Sequence, residues 1–451
     1  EALPEHPHQH VRHRCAVGSL ADKWPSPGRR SHSSGLPQAS MVVAAAGAAV
    51  GSKLAARRRS AKQRHGSLLV MCSQEVTPDR GFRILEWASS ALGGQKTLVR
   101  TAGWAFRETW RTMVKELAPQ SPDGDYMRPA SSIVARKDGK LPMLELQDDG
   151  HAVYIGNTCP WCHRVQLAVT LARIPADVVA MVELADDPQR ASRGGWAFNP
   201  AKGIVDPVFD AADLREVYDK ASGGRYTGRC TAPLLVDRIN RSAVSNDNIE
   251  IVRMVTEAAL NKKWANKMVD LRPAELGKDI EKTIRWTYNM ISNGVYRAGF
   301  ATQQGAFERA AADVAEGLDR LEKLLDKQRF LCGDKVTEAD AMLLPCALRF
   351  DVVYAFLFLR GSCGLWRERP SLKRWLADCW SLPGVRGTID LRACQESYYR
   401  TLFPLNASQI IPPNNTPPKL QPFEGVEELT SEQAEALFHW QESPEVVVDS
   451  A

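Results

Sequence analysis

The chain has 451 residues, 44% of them hydrophobic and 25% charged, and a formal net charge of +5 at pH 7. That length suits two or three domains, and ten scattered cysteines exclude a disulfide-dense secreted scaffold. The charge is split between the ends: residues 1–72 carry 11 Lys/Arg against 3 Asp/Glu, while residues 421–451 carry 8 Asp/Glu and no Lys/Arg. The net charge is therefore no signature of nucleic-acid binding, and no nucleic-acid partner is expected.

Residues 1–75 read as a leader. From Met41 to Gln74 there is no acidic residue, and Ala, Ser and Arg dominate around Arg57-Arg58-Arg59. This composition predicts an organelle transit peptide, with Met41 as the expected true start. Plastid is the expected address, with mitochondrion or cytoplasm as alternatives.

A helical extension is expected within residues 76–125. Trp87, Leu92, Leu98, Trp104, Phe106, Trp110, Met113 and Leu117 recur at roughly helical spacing across 82–117, broken by Gly93-Gly94. This segment reads as packed on the main domain; a membrane-surface or partner helix is the alternative.

Residues 126–255 follow a βαβ then ββα order: a strand at His151–Ile155, a helix through Ala172, a strand at Val178–Val182, and a long irregular loop from Asp186 to Arg229. Strands at Leu234–Val236 and Ala243–Val244 precede a helix at Asn246–Val255. This is the order of a thioredoxin-like domain. Residues 256–405 read as all-helical. Phe307–Leu325 has 3.6-residue periodicity, and Thr337 and Asp340 have the spacing of a helix N-cap and its third residue. Residues 406–451 read as a Pro-rich linker and acidic tail, with one short helix at Ser431–Trp440. No run of 18 or more uncharged apolar residues occurs, so no membrane span is expected.

Chemistry concentrates at Cys159-Pro160-Trp161-Cys162, between the first strand and its helix. Cys159 should sit where unpaired backbone N–H groups and the helix dipole favour a thiolate. Such placement lowers a cysteine pKa from about 8.5 to roughly 3.5–7.5. No second Cys-x-x-Cys pair accompanies it, and no metal site is expected.

The α/β half carrying this motif, joined to a helical half with a Thr-x-x-Asp cap, resembles the glutathione transferases. The match is similar to the Xi class, the glutathionyl-hydroquinone reductases, with the CPWC variant also seen in the Iota class. Segments carrying it include Cys159-Pro160-Trp161 with His163-Arg164, Gly195-Trp196-Ala197-Phe198, and Tyr226-Thr227-Gly228-Arg229 running to Thr231-Ala232-Pro233. Further segments are Ser245-Asn246-Asp247, Asn293-Gly294-Val295-Tyr296, Arg349-Phe350-Asp351 with Val353-Tyr354, and Tyr398-Tyr399.

The resemblance implies glutathione as co-substrate, a quinone-type aromatic partner and a homodimer. It makes Cys159 the nucleophile, forming a mixed disulfide with glutathione. Cys162 departs from the Xi pattern, which has Ala there; resolving thiol and small buried residue are both open readings. Ala232-Pro233 should be a cis bond, with Ala232 pairing to the cysteinyl unit of glutathione. Asp247-Asn248 should hold the γ-glutamyl end, Trp196 should pack on glutathione, and Arg229 should pair with a carboxylate. Tyr296 and Tyr354 should face the aromatic substrate, buried core tyrosines being the alternative. After Tyr354 the Xi pattern's His and Lys are missing, which leaves the acceptor open. Alternative activities are dithiol deglutathionylation, dehydroascorbate reduction, or a non-catalytic subunit of an organelle complex.

Overall fold

The computed structural model describes residue 90 and residues 93–156, 158–261, 267–363, 368–413 and 425–442. The expected transit peptide, with its start at Met41, lies outside the described residues. So does the part of the predicted 82–117 helix carrying Trp87 and Leu92.

The sheet is built on β1 (His151–Gly156), buried along its whole length because helices and loops cover both faces. It pairs in parallel with β2 (Val179–Asp186) and antiparallel with β4 (Leu234–Asp237). The two-residue strand β3 (Trp196–Ala197) extends one edge, and β5 (Ser242–Ser245) the other, giving the order β3-β2-β1-β4-β5. Helix α2 (Pro160–Leu171) follows β1 directly, and α4 (Asn248–Leu260) follows β5. The order is thus the thioredoxin-like one expected, with one addition. Helix α3 (Leu214–Ala221) lies inside the stretch read as an irregular loop. Asp213 caps it by accepting from the Glu216 N–H at 2.9 Å, and Val217 and Tyr218 bury its inner face. Eight residues, ended by Ser222-Gly223-Gly224, are too few to show a helical period.

Preceding the sheet, α1 (Gln95–Leu117) packs only through its C-terminal end. Val114 is buried, and Trp110 Nε1 donates to the Pro404 carbonyl at 2.8 Å. Val99, Trp104 and Phe106 are exposed, so the packing expected of this helix is made chiefly by its last turns.

The helical half contains α5 (Gly277–Thr287), α6 (Gly294–Gly299), α7 (Gln304–Leu325), α8 (Glu338–Arg349), α9 (Pro370–Trp380) and α10 (Leu391–Thr401). Every residue of α8 is buried. Its start is fixed as the Thr-x-x-Asp spacing suggests: Asp340 Oδ2 accepts from the Thr337 N–H at 2.9 Å and from its hydroxyl at 3.0 Å. Asp340 Oδ1 takes Trp375 Nε1 at 2.8 Å. The helical stretch Glu338–Phe358 is long and apolar enough to cross a membrane, yet 94% of its apolar window is buried within the protein, so it is a core helix.

Two corrections concern the C-terminal part. The region read as all-helical contains a strand, β6 (Lys267–Val269), which pairs antiparallel with β7 (Trp440–Glu442) from the acidic tail. The helix expected over Ser431–Trp440 is therefore only α11 (Ser431–Ala434) and a 3₁₀ turn to Leu437. Beyond it the carbonyls of Leu437 and His439 accept from the N–H groups of Val336 (2.8 Å) and Asp270 (2.9 Å). Extended pairing to the helical half outcompetes helix continuation there.

Candidate active site

Cys159 is the N-cap of α2, in extended conformation (φ −74°, ψ 121°), with Pro160 at the first helical position. Proline is preorganised for that place and lacks an N–H that would need a partner. The Cys159 N–H donates to the Gly156 carbonyl at 3.0 Å, closing the turn out of β1. Its thiol donates to the Ala232 carbonyl at 3.7 Å, and the Ala232–Pro233 bond is cis. Burial pushes the thiol pKa up. Hydrogen bonds from the Cys162 thiol and from the Cys162 and Trp161 backbone, with the Arg349 charge, outweigh burial and bring it below the ordinary value.

Cys162 is fully buried, and its sulfur accepts from the Gly156 N–H at 3.3 Å. Burial and the neighbouring Cys159 push its pKa well above the ordinary value. The two thiols thus differentiate: one favours ionisation, and the other stays protonated as its donor. Trp196 on β3 lays its ring over Gly156, occupying the space a side chain would need there. This places Trp196 beside the CPWC turn.

Beneath the turn lies a buried cation. Arg349, at the end of α8, donates through Nε to the Thr158 carbonyl at 3.1 Å. Its Nη1 donates to the Pro345 carbonyl at 2.9 Å and lies 3.0 Å from His163 Nδ1. His163 Nε2 lies 2.7 Å from the Thr388 hydroxyl. Burial, then the Arg349 charge, holds His163 well below its usual pKa. Cys394 on α10 is buried against the same guanidinium.

Above the turn is an aromatic cluster. Two π-helical turns, Tyr288–Ser292 and Phe350–Phe358, re-phase the backbone around it; such turns recur at functional sites. The hydroxyls of Tyr296 and Tyr398 are 2.6 Å apart, and Tyr354 lies 3.4 and 3.2 Å from them. Burial raises the pKa of all three. Trp161 packs on Tyr296 at 5.7 Å between ring centroids, and Phe358 contacts Tyr296, Tyr354 and Tyr398. The Arg128 guanidinium lies 4.2 Å from the Trp161 ring centre and 4.9 Å from that of Tyr296.

At the start of α4, Asp247 caps the helix, accepting from the N–H groups of Ile249 and Glu250 at 3.0 Å. Its second oxygen accepts from the Ser131 hydroxyl at 3.0 Å. Asn248 Oδ1 accepts from Arg164 Nη1 at 3.1 Å, and Arg164 stacks on Trp161 at 4.6 Å. Arg229 donates to the Glu116 and Leu117 carbonyls at 3.1 and 3.3 Å, a favourable place for a cation at the C-terminus of α1.

Residues 304–378 match the family described as glutathione S-transferase, C-terminal domain. The chain is 34% identical to glutathionyl-hydroquinone reductase PcpF of Sphingobium chlorophenolicum over 264 residues, 58% of this chain and 81% of that protein. It belongs to the glutathione transferase superfamily, on the Xi-class, glutathionyl-hydroquinone reductase-like branch. In fold it is similar to the glutathione S-transferase Xi of Phanerochaete chrysosporium (TM-score 0.58, 29% identity, 65% of this chain and 99% of that one). It is likewise similar to glutathione-bound YqjG, a glutathione transferase homolog from Escherichia coli K-12 (TM-score 0.54, 29% identity, 65% and 94% covered).

Of the positions singled out in the sequence of this transferase, Cys159, Cys162, Trp196, Ala232 and Pro233 gather at one turn, with Tyr296 and Tyr354 in the aromatic cluster beside it. Asp247 and Asn248 open α4, joined to Trp161 through Arg164. Arg229 is held by α1. Sequence reasoning gave no role to Arg128, His163, Thr388, Cys394 or Tyr398. Arg128, Thr388 and Cys394 carried no local signal, whereas His163 belongs to the His163-Arg164 segment of the family resemblance. Tyr398 likewise belongs to the Tyr398-Tyr399 segment of that resemblance.

Proposed function

We propose that the chain is a glutathione-dependent thiol transferase that removes glutathione from glutathionyl-(hydro)quinones. The observation that carries this reading is the Cys159 sulfur, acidified at a helix start, facing a cis-proline turn and adjoining a cluster of three tyrosines. The relative named glutathionyl-hydroquinone reductase supports the same substrate class.

In this mechanism the Cys159 thiolate attacks the glutathionyl sulfur of the substrate. A Cys159–glutathione disulfide bond forms as the sulfur–ring carbon bond breaks. The ring carbon keeps the electron pair and takes a proton, giving the free hydroquinone. A second glutathione thiolate then attacks the glutathionyl sulfur, releasing oxidised glutathione and the Cys159 thiolate. The phenols of Tyr296 and Tyr354 hydrogen-bond the quinol oxygens and stabilise charge on them. Glutathione lies along the backbone of Ala232, against Trp196, with its γ-glutamyl end toward Asp247 and Asn248. Arg229 would serve a glutathione carboxylate only by giving up its α1 carbonyls.

The Iota-like CPWC motif enters as a hydrogen-bonding pair in which Cys162 supports Cys159 rather than resolves it, because Cys162 is fully buried and strongly protonated. The domain division given above, homodimer assembly and plastid import belong to the same proposal. They rest on the element order, the family resemblance and the composition of residues 41–74.

The test is turnover of glutathionyl-menadiol with glutathione by the purified protein and its Cys159→Ser variant. Turnover lost on this substitution supports the reading. Absence of turnover by the unaltered protein, on this or any other glutathione-dependent acceptor, overturns it.

A further inference from the structure

The buried guanidinium of Arg349 makes no ion pair with a carboxylate among the described residues, yet it is fully buried. Leaving a charge in that state is costly unless a counter-charge forms nearby. Its Nε and Nη1 are used by two carbonyls and an imidazole, its Nη2 is buried without an oxygen or nitrogen partner among the described residues, and the Cys394 thiol is a further hydrogen-bond partner of the guanidinium. The carbonyl taken by Nε belongs to Thr158, the residue that precedes the reactive cysteine.

Arginine can only donate, so His163 Nδ1, facing Nη1 at 3.0 Å, must accept. The imidazole proton therefore resides on Nε2, which donates to the Thr388 hydroxyl at 2.7 Å. Thr388 can accept because its own proton goes to the Val385 carbonyl at 2.6 Å. Each link fixes the direction of the next, from Val385 through Thr388 and His163 to Arg349.

We infer that Arg349 is the buried counter-ion of the Cys159 sulfur, and that the Thr388–His163 pair holds it in place by fixing the acceptor tautomer of the imidazole. Arg349, His163 and Thr388 are then positioning residues for the attacking thiolate. The other titratable groups around that sulfur are Cys162 on its own helix, Tyr296 on α6 and Cys394 on α10. All three are neutral acids there, so among the groups named Arg349 supplies the positive charge, while Arg128 and Arg164 face the Trp161 ring.

The inference rests on Cys159 being the reacting sulfur, as proposed above, and its test needs no glutathione acceptor. The full chain is alkylated with iodoacetamide between pH 5 and 9, and the rate at Cys159 is read by mass spectrometry, with fragment ions separating it from Cys162. In the unaltered protein the rate midpoint should lie below that of a free thiol, about 8.5. An ordinary midpoint there would overturn the role of Cys159 itself. Arg349→Met should raise the midpoint by about one unit, slowing alkylation roughly tenfold at any pH well below both midpoints. Thr388→Val should slow it about threefold, and Thr388→Ser, which keeps the hydroxyl, should restore it. The Thr388 pair also decides the matter if Arg349→Met does not fold. A low midpoint that is unchanged in a folded Arg349→Met protein, or Thr388→Val and Thr388→Ser variants that behave alike, would overturn the counter-ion role while leaving the proposed reaction standing.

Discussion

The Tyr296 and Tyr398 hydroxyls meet at 2.6 Å, although they are 102 residues apart in sequence. Tyr354 completes a triangle with them at 3.4 and 3.2 Å. Three phenols bonded to one another bury their polar ends without recourse to water, and each orients the next. Because burial raises all three pKa values, they are proton donors across the physiological range.

That relationship makes Tyr398 as testable as the tyrosines named from sequence. Tyr398→Phe removes the shortest contact to Tyr296 while keeping the ring. If the cluster orients a donor toward a departing quinol oxygen, kcat for a glutathionyl-hydroquinone should fall on the order of tenfold to a hundredfold. KM for glutathione should not change. Steady-state kinetics check this; a purely structural cluster would instead lower the melting temperature and leave kcat intact.

Cys162 gives a second prediction. It is buried and protonated, and it donates to the Cys159 sulfur. Cys162→Ala should therefore retain turnover within about an order of magnitude at pH 8, where the Cys159 thiolate forms even without that donor, and lose more at pH 6. Cys162→Ser should regain part of the loss at pH 6. Loss of all turnover in Cys162→Ala at pH 8 would point instead to a dithiol route.

How far the site could be read from sequence depended on how local its parts are. The CPWC turn and the Thr337/Asp340 cap are defined within four residues each, and pattern alone located them; the cis Ala232–Pro233 bond is as local, but it was the family resemblance that marked it. The His163–Arg349 and His163–Thr388 contacts span 186 and 225 residues, and no periodicity encodes such pairings. The same holds for β7. Its residues carry a weak helical pattern, but strand pairing with β6 satisfies their backbone, and tertiary context overrides local preference. Cys162 was visible as a departure from the family pattern, yet only its burial and its bond from Gly156 show what it is suited to do.

His163 supplies a pH prediction. Its pKa in the folded protein is depressed by burial, so the unfolded chain binds the proton more tightly. Stability from this group is therefore complete above the unfolded value, about 6.5, and is lost as pH falls below it, by about 1.4 kcal/mol per unit. Burial raises the carboxyls of Asp186 and Asp340, which gives the opposite slope, so the comparison must be against a variant rather than absolute. His163→Asn keeps an acceptor for Arg349 and removes the titration. The stability advantage of the unaltered protein over it, from urea unfolding at pH 7.5, 6.5 and 5.5, should shrink by about 0.4 kcal/mol between the first two and by about 1 kcal/mol between the second and third.

The tail offers the last prediction, because it is attached at several independent points. The Leu429 N–H donates to the Ser381 carbonyl at 2.8 Å, and Glu428 accepts from the Gly384 N–H at 2.7 Å. Lys267 pairs with Glu435, and Arg173 lies 5.1 Å from the Trp440 ring centre. Leu437 and Phe438 are buried beneath these contacts. The exposed Lys267–Glu435 pair contributes little, so the apolar burial should dominate. Phe438→Ala should cost about 3 kcal/mol in urea unfolding, whereas Glu435→Ala should leave the unfolding midpoint essentially where it is. The attached segment 381–388 carries Thr388, the partner of His163. Phe438→Ala should therefore also raise the pH midpoint of Cys159 alkylation, while Glu435→Ala should not. A destabilised Phe438→Ala protein with an unshifted midpoint would show that the tail braces the fold without reaching the thiol.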